Sequence, residues 1–256
     1  MSNKLRLKHI ECDIVNHCNL KCRGCDHFSP ICDPWFRDVS EFEEDMSKLS
    51  LSFDIDRIVI LGGEPLLHKD FMEFLRISRR FFPNSKVEIT TNGLLLNKIE
   101  ENAEEINELN ITVDITNYYL IDIPTKIINK IRMVEIWDRG SMYNLGLDLS
   151  GSQNKFESFH NCIASYDNYG CVSLSNHRLY LCPMSSKIRF FNDKFGTKIP
   201  DDDDAISVSV DEDPSKILEF LTKPHEICEY CNLKYRMSHE KPWAQSKGDI
   251  NEWICH

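Results

Sequence analysis

Three cysteines lie close together near the start of the chain, at Cys18, Cys22 and Cys25, with the spacing C-x3-C-x2-C. Three thiolates on one short loop can bind three irons of a [4Fe–4S] cluster and leave the fourth iron without a protein ligand. A metal with an open position is a site for chemistry. A structural zinc site is the alternative, because Cys22 and Cys25 form a C-x2-C pair that a nearby histidine or cysteine could complete.

A second group of cysteines lies in the last third of the sequence. The chain has 11 cysteines, of which five lie in 12–32, none in 33–161 and six in 162–255. Cys228 and Cys231 form another C-x2-C pair. In a reducing compartment so many cysteines favour metal or redox chemistry over disulfides. The sequence therefore predicts two separate cysteine centres with a cysteine-free body between them.

Segments with strand-like and helix-like patterns alternate along the first half of the chain, and they must position the candidate functional residues. Strands are predicted at 10–15, 57–61, 86–91, 111–116 and 133–137, and helices at 40–51, 69–82, 95–106 and 123–132. Repeated βα units predict an α/β fold with a parallel sheet, whose reactive residues collect at the carboxyl ends of the strands. The first cysteine loop follows the first strand, Gly62-Gly-Glu-Pro65 the second and Thr91-Asn-Gly93 the third. This rhythm fades after residue 150, which predicts one domain at 1–150 and another at 151–256.

Composition and charge argue against several classes of partner. The formal net charge is -11 and no Lys/Arg-rich run is present, which disfavours binding to nucleic acid or to an anionic membrane. No stretch reaches the roughly 18 apolar residues of a membrane span, and polar residues follow positions 1–8 where a signal peptide would have its apolar core. We therefore expect a cytoplasmic protein.

Taken together, the C-x3-C-x2-C loop and the Gly62-Gly-Glu-Pro65 loop resemble the radical S-adenosylmethionine (SAM) superfamily. The resemblance covers about 1–150 and implies a partial (β/α)6 TIM-type barrel in which Cys18, Cys22 and Cys25 ligate a [4Fe–4S] cluster. SAM would chelate the open iron. The implied cofactor-binding residues lie at strand ends: Gly62, Gly63, Glu64, Thr91, Asn92, Asp114 and Thr116. One departure is Gly24, where many family members have an aromatic residue.

The later cysteines resemble the twitch and SPASM auxiliary-cluster domains. The segment from Cys162 to Cys182 is similar to their C-x(9–15)-G-x4-C pattern, with His177 at the glycine position. The resemblance implies a second [4Fe–4S] cluster with four ligands: Cys162, Cys182, Cys228 and Cys231. Cys171 competes with Cys162 for the first position, and a structural zinc at the same sulfurs is the alternative.

The resemblance implies that SAM is cleaved reductively to a 5′-deoxyadenosyl radical, which abstracts hydrogen from a polar small molecule. Motifs around Cys18 and Cys182 are similar to a subgroup found with glycan biosynthesis, which favours a sugar-like substrate. A spare thiol such as Cys171 could return hydrogen and make the enzyme an epimerase. An auxiliary cluster next to the substrate could instead accept an electron and make it a dehydrogenase. A reductant such as flavodoxin or ferredoxin is the implied partner.

Two other functions compete with this interpretation. The first is a radical SAM protein that modifies a peptide, as a maturase of ribosomally made peptides, or that activates another enzyme. The second belongs to a different class, namely a binding module stabilised by zinc or by a cluster. The second predicts no cleavage of SAM.

Overall fold

The computed structural model describes residues 4–201, 204–209 and 212–256. Its strands are β1 (Leu5–Val15), β2 (Phe53–Gly62), β3 (Lys86–Thr91), β4 (Ile111–Asn117), β5 (Val134–Asp138), β6 (Ser141–Tyr143), β7 (Val172–Ser175), β8 (Arg178–Tyr180), β9 (Ala205–Ser207) and β10 (Glu240–Pro242). Its α-helices are α1 (Val39–Ser52), α2 (Phe71–Phe81), α3 (Leu96–Glu101), α4 (Ala103–Glu108), α5 (Thr125–Ile128), α6 (Lys155–Asn161), α7 (Pro183–Phe195), α8 (Pro214–Leu221) and α9 (Leu233–Ser238). Short 3-10 helices cover Pro65–Leu67, Glu226–Tyr230 and Ile250–Glu252.

The predicted α/β fold with a mainly parallel sheet is confirmed. Eight strands form one sheet in the order β5-β4-β3-β2-β1-β7-β8-β9. The first five strands are parallel, and β7 pairs in parallel with β1. The sixth parallel strand therefore joins at the β1 edge and does not follow β5, while β8 and β9 extend the sheet as antiparallel strands.

The two faces of the sheet differ in polarity. One face carries apolar side chains such as Ile58, Ile89 and Val113, which belong to the main hydrophobic core and pack against the helices. The other face, which we call the polar face, carries His9, Glu11, Asp13, Arg57, Glu88, Thr90 and Asp114. Paired residues of neighbouring parallel strands share a face, and the register joins His9 to Arg57, and Thr90 to Asp114. Because the helices cover the apolar face, the polar face is the one that can bind a substrate or cofactor.

Two predicted helices differ from those observed. The helix expected at 95–106 is split into α3 and α4 at Asn102. The Asn102 side-chain amide donates to the Lys98 carbonyl oxygen at 2.8 Å, and such local bonds compete with regular helix. The helix expected at 123–132 is a single turn, α5.

A second hydrophobic core lies next to the first cysteine loop. It contains Phe28, Leu147, Phe159, Phe191 and Trp253, and therefore joins segments from the whole chain. The division at residue 150 stays a prediction, and the main sheet continues beyond it through β7. Within the described part of the chain, none of the helices has the length and apolar character needed to cross a membrane.

Candidate active site

The loop that carries Cys18, Cys22 and Cys25 follows the carboxyl end of β1. Burial raises the pKa of the Cys22 thiol to about 11 and that of Cys25 well above its usual range. Gly24 has a φ of +68°, and a Cβ there would lie 3.0 Å from the main-chain oxygen of Glu252. Close packing and a left-handed backbone therefore explain why glycine stands where the family often has an aromatic residue.

The spacing of the sulfur atoms favours a cluster over a single zinc ion. A tetrahedral zinc with bonds of about 2.3 Å needs sulfurs about 3.8 Å apart. Among the described residues, no three sulfurs of either cysteine group lie within 4.8 Å of one another. The sulfurs of each group are therefore spread more widely than the ligands of one tetrahedral zinc ion.

Gly62 and Gly63 are packed against the main chain of the β1 end. A Cβ on Gly62 would lie 2.1 Å from the Val15 oxygen, and one on Gly63 2.1 Å from the His17 oxygen. The Gly63 N–H donates to the Val15 oxygen at 2.7 Å. The two glycines are therefore required by the close approach of this loop to the residues just before Cys18.

Glu64 joins the second strand end to the third. Its carboxylate is fully buried and accepts hydrogen bonds from Thr91 Oγ1 at 2.8 Å, from the Asn92 N–H at 2.9 Å and from the Leu66 N–H at 3.1 Å. Burial raises the pKa of Glu64 to about 7, although these bonds oppose the shift. In turn the Asn92 side-chain amide donates to Cys18 Sγ at 3.4 Å. Glu64, Thr91 and Asn92 thus form one network beside the cysteine loop.

Asp114 and Thr116 lie further along, on β4. Asp114 is 6% exposed, and its Oδ1 has no hydrogen-bond partner among the described residues. Burial raises the pKa of Asp114 to about 6. Thr116 is half-buried, two residues further along the strand. An unpartnered buried oxygen costs free energy unless a ligand or water satisfies it, so Asp114 is a candidate binding group of the polar face.

Four later cysteines line one pocket. Cys162, Cys182, Cys228 and Cys231 surround it together with apolar neighbours such as Phe159 and Met184. Burial, together with the nearby thiols, raises the pKa of Cys182 to about 11 and that of Cys228 to about 12. These four sulfurs are the set expected from the twitch resemblance with Cys162 at the first position.

Cys171 does not line that pocket and lies at the edge of the polar face. Ligand atoms of Cys171, His9 and Glu11 all lie within 4.8 Å of one another. The thiol is close enough to hydrogen-bond the Glu11 carboxylate, and burial with that negative charge raises the thiol pKa, so the S–H is retained at neutral pH. Burial also raises the pKa of Glu11 to about 7, and it lowers that of His9 to about 3.

Sequence patterns gave no functional role to Glu11, His9 or Asp13. All three alternate along β1 with apolar residues, and this period of two could have shown that they share a face. Asp13 is buried and accepts from Lys187 at 3.1 Å and from His27 at 3.2 Å. It thereby ties the cysteine loop to α7.

Comparison with known proteins agrees with this geometry. The family model described as "Radical SAM superfamily" matches residues 13–136, which hold the cysteine loop, the Glu64 loop and Asn92. This part of the chain is a radical SAM domain. The cofactors of this superfamily are a [4Fe–4S] cluster and SAM, and the donor set of thiols with separated sulfurs fits such a cluster.

Curated relatives match less than half of this chain. A GTP 3′,8-cyclase of Alkaliphilus oremlandii is 32% identical over 116 residues, 44% of this chain and 36% of the relative. A probable GTP 3′,8-cyclase of Methanocella arvoryzae is 32% identical over 111 residues, 43% of this chain and 35% of the relative. The chain thus spans about a third of the length of these relatives.

Solved structures resemble this chain in fold over most of its length. BtrN in complex with AdoMet and 2-DOIA has a TM-score of 0.55 and 16% identity, covering 88% of this chain and 93% of BtrN. BtrN in an open conformation has a TM-score of 0.51 and 20% identity, and the match covers 90% of this chain and 94% of BtrN. At this identity the likeness concerns the fold.

Proposed function

We propose that this radical SAM enzyme epimerises a carbon of a polar, sugar-like small molecule and that Cys171 is its hydrogen-atom donor. The observation that carries the proposal is the position of Cys171, which lies apart from the four-cysteine pocket and beside Glu11 at the polar face. A hydrogen-atom donor must keep its S–H bond, and the raised thiol pKa of Cys171 meets that need.

Cys18, Cys22 and Cys25 would hold the catalytic cluster, and SAM would bind beside them. When bound, the reduced cluster and SAM supply a carbon radical that removes a hydrogen atom from the substrate. The chain's own residues position these groups. Gly62 and Gly63 bring the Glu64 loop against the main chain at the end of β1, and Asn92 contacts Cys18 through its amide.

The polar face supports a substrate with many hydroxyl or amino groups. Glu11 Oε2 and Asp114 Oδ1 are buried without hydrogen-bond partners among the described residues. Such acceptors favour a ligand that donates hydrogen bonds. Glu88 on the same face is already neutralised by Arg57 and Lys86.

Return of hydrogen by Cys171 completes the epimerisation. Its S–H bond breaks and a C–H bond forms on the substrate carbon, opposite the face from which hydrogen was removed. The sulfur radical left behind takes one electron from a reductant of the flavodoxin or ferredoxin class and one proton. Glu11 would deliver that proton, because burial raises its pKa to about 7.

Two-electron oxidation of the same substrate class is the second candidate. It is favoured by the pocket that Cys162, Cys182, Cys228 and Cys231 line, since an auxiliary cluster there could accept the electron left on the substrate radical. The names of the curated relatives suggest a nucleotide substrate. Their likeness is confined to less than half of this chain, and the carboxylates of the polar face disfavour a triphosphate.

The test is to incubate reduced, cluster-loaded enzyme with SAM and a panel of aminocyclitols, hexosamines and nucleotide-linked sugars in deuterated water. Epimerisation gives a product of unchanged connectivity that carries one solvent deuterium. Cys171→Ala should still form 5′-deoxyadenosine but should lose the labelled epimer. Equal labelling in that variant would exclude Cys171 as the donor, and a product lighter by two hydrogens would indicate oxidation.

A further inference from the structure

The indole ring of Trp243 lies against the first cysteine loop. Its Nε1–H donates a hydrogen bond to Cys22 Sγ at 3.2 Å. We propose that Trp243 sets the reduction potential of the cluster held by Cys18, Cys22 and Cys25. This role rests on the ligand set of the proposed function and adds to it a residue more than two hundred positions away in the sequence.

Main-chain bonds place Trp243 without help from its side chain. The Arg23 N–H donates to the Ala244 oxygen at 2.9 Å, and the Ser246 N–H donates to the Lys21 oxygen at 2.9 Å. These two bonds lie on either side of Cys22. The segment that carries the indole is therefore clamped to the cysteine loop, and the N–H is delivered to one sulfur.

The strand that precedes Trp243 also holds this residue in position. β10 pairs with β6 in antiparallel register, and the Trp243 N–H donates to the Gly140 oxygen at 2.9 Å. The indole is half-buried, and Cys22 is 8% exposed. Partial exclusion of water strengthens a hydrogen bond between these groups.

Hydrogen bonds to cluster sulfurs are one of the factors that set a cluster's potential. The reduced state carries one more negative charge than the oxidised state, and part of that charge lies on the ligand sulfurs. A donor therefore stabilises the reduced state more and raises the potential. Trp243 would make the cluster easier to reduce, which eases electron entry from the protein reductant.

Tyr118 supplies a related contact. Its hydroxyl also interacts with the Cys22 thiol, and its ring centre lies 6.4 Å from that of Trp243. Both aromatic residues thus converge on the same sulfur. Loss of either donor should shift the potential in the same direction, and the shift should be larger for the variant that lacks both.

The experiment compares wild type, Trp243→Phe and Trp137→Phe, all as cluster-loaded protein. Phenylalanine keeps an aromatic ring at position 243 and removes only the N–H. Trp137 is 56% exposed on β5 and serves as the matched control. Redox titration followed by electron paramagnetic resonance gives each potential, and the catalytic cluster is recognised because SAM changes its signal.

We expect a more negative potential for Trp243→Phe, with iron and sulfide content equal to wild type, and no shift for Trp137→Phe. An unchanged potential at equal cluster content would overturn the proposal. A wild type without any SAM-responsive cluster would refute the ligand set of Cys18, Cys22 and Cys25, and this inference with it.

A second measurement covers the case in which Trp243→Phe fails to assemble its cluster. Wild-type protein is labelled with ¹⁵N in the indole ring of tryptophan, and nuclear couplings to the reduced cluster are recorded. We expect a ¹⁵N coupling from the Trp243 bond to Cys22 Sγ. Trp253 donates instead to the main-chain oxygen of Cys25 at 2.9 Å and should couple more weakly. The absence of any coupling would contradict the proposal.

Discussion

The side-chain amide of Asn92 lies 3.4 Å from Cys18 Sγ, although 74 positions separate the two residues. The same amide donates to Asn19 Oδ1 at 2.8 Å, and the Asn92 main-chain N–H donates to Glu64. Through these hydrogen bonds of Asn92, the loops at the ends of β1, β2 and β3 form one connected unit. This unit is where the radical SAM family model and the observed geometry coincide.

Asn92→Ala removes three side-chain bonds, to Cys18, to Asn19 and from the Leu94 N–H, and keeps the main-chain bond to Glu64. Each lost bond is worth about 1 kcal/mol, so the melting temperature of cluster-loaded protein should fall by about 6–12 °C in all. SAM binding should weaken as well, since the loop is less well positioned. Anaerobic thermal unfolding and equilibrium dialysis measure both effects. Asn97→Ala, at an exposed position on α3, is the control, and equal effects in the two variants would contradict the assigned role.

Gly63→Ala should be severe because its Cβ would meet the His17 oxygen at 2.1 Å. Relief requires movement of the main chain beside Cys18, at a cost of about 3 kcal/mol. Gly196→Ala is the matched control, since a Cβ there has no neighbour within 4 Å. Its left-handed backbone still costs about 1 kcal/mol. Iron content and melting temperature should drop much further for Gly63→Ala, and similar losses in both variants would refute the steric explanation.

Glu11 makes stability depend on pH. Burial raises its folded pKa to about 7, whereas the unfolded chain has the ordinary value of 4.5. The folded state therefore holds a proton that the unfolded state has released, and stability is lost as pH rises from about 4.5 through 7. The loss is at most about 3 kcal/mol. Glu11→Gln should be less sensitive to pH than wild type between about pH 5 and 8 by anaerobic denaturant titration. If the free energy of unfolding changed with pH equally in the two proteins, the pKa of Glu11 would not be raised in the folded state.

Cys162 and Cys171 should respond differently to substitution. Cys162 lines the pocket with the three other late cysteines, and Cys171 does not. Cys162→Ala should reduce iron from about eight to about four atoms per chain, because it removes one ligand of a [4Fe–4S] cluster, while Cys171→Ala should keep both clusters. Cys255→Ala, which removes another half-buried thiol, is the control. Loss of iron in Cys171→Ala alone would reverse the assignment.

Local patterns predicted much of this molecule. The strand at 57–61 and the helix at 69–82 follow from short-range periodicity, and β2 and α2 lie there. The ligand set with Cys162 was implied by the resemblance to auxiliary-cluster domains, with Cys171 as a competitor, and its four cysteines line one pocket. The position of β7 beside β1 was not predictable in this way, because the pairing of residues as far apart in sequence as Ile10 and Val172 depends on the whole sheet. The contact of Trp243 with Cys22 escaped prediction for the same reason.

The most direct test of the account is whether the chain cleaves SAM. Anaerobically purified, cluster-loaded protein is reduced and incubated with SAM, and 5′-deoxyadenosine is measured by liquid chromatography and mass spectrometry. The control is a variant with Cys18, Cys22 and Cys25 changed to Ala. Wild type should form 5′-deoxyadenosine and the variant should form none. A wild-type protein with full iron content that forms no 5′-deoxyadenosine and binds no SAM would contradict this prediction.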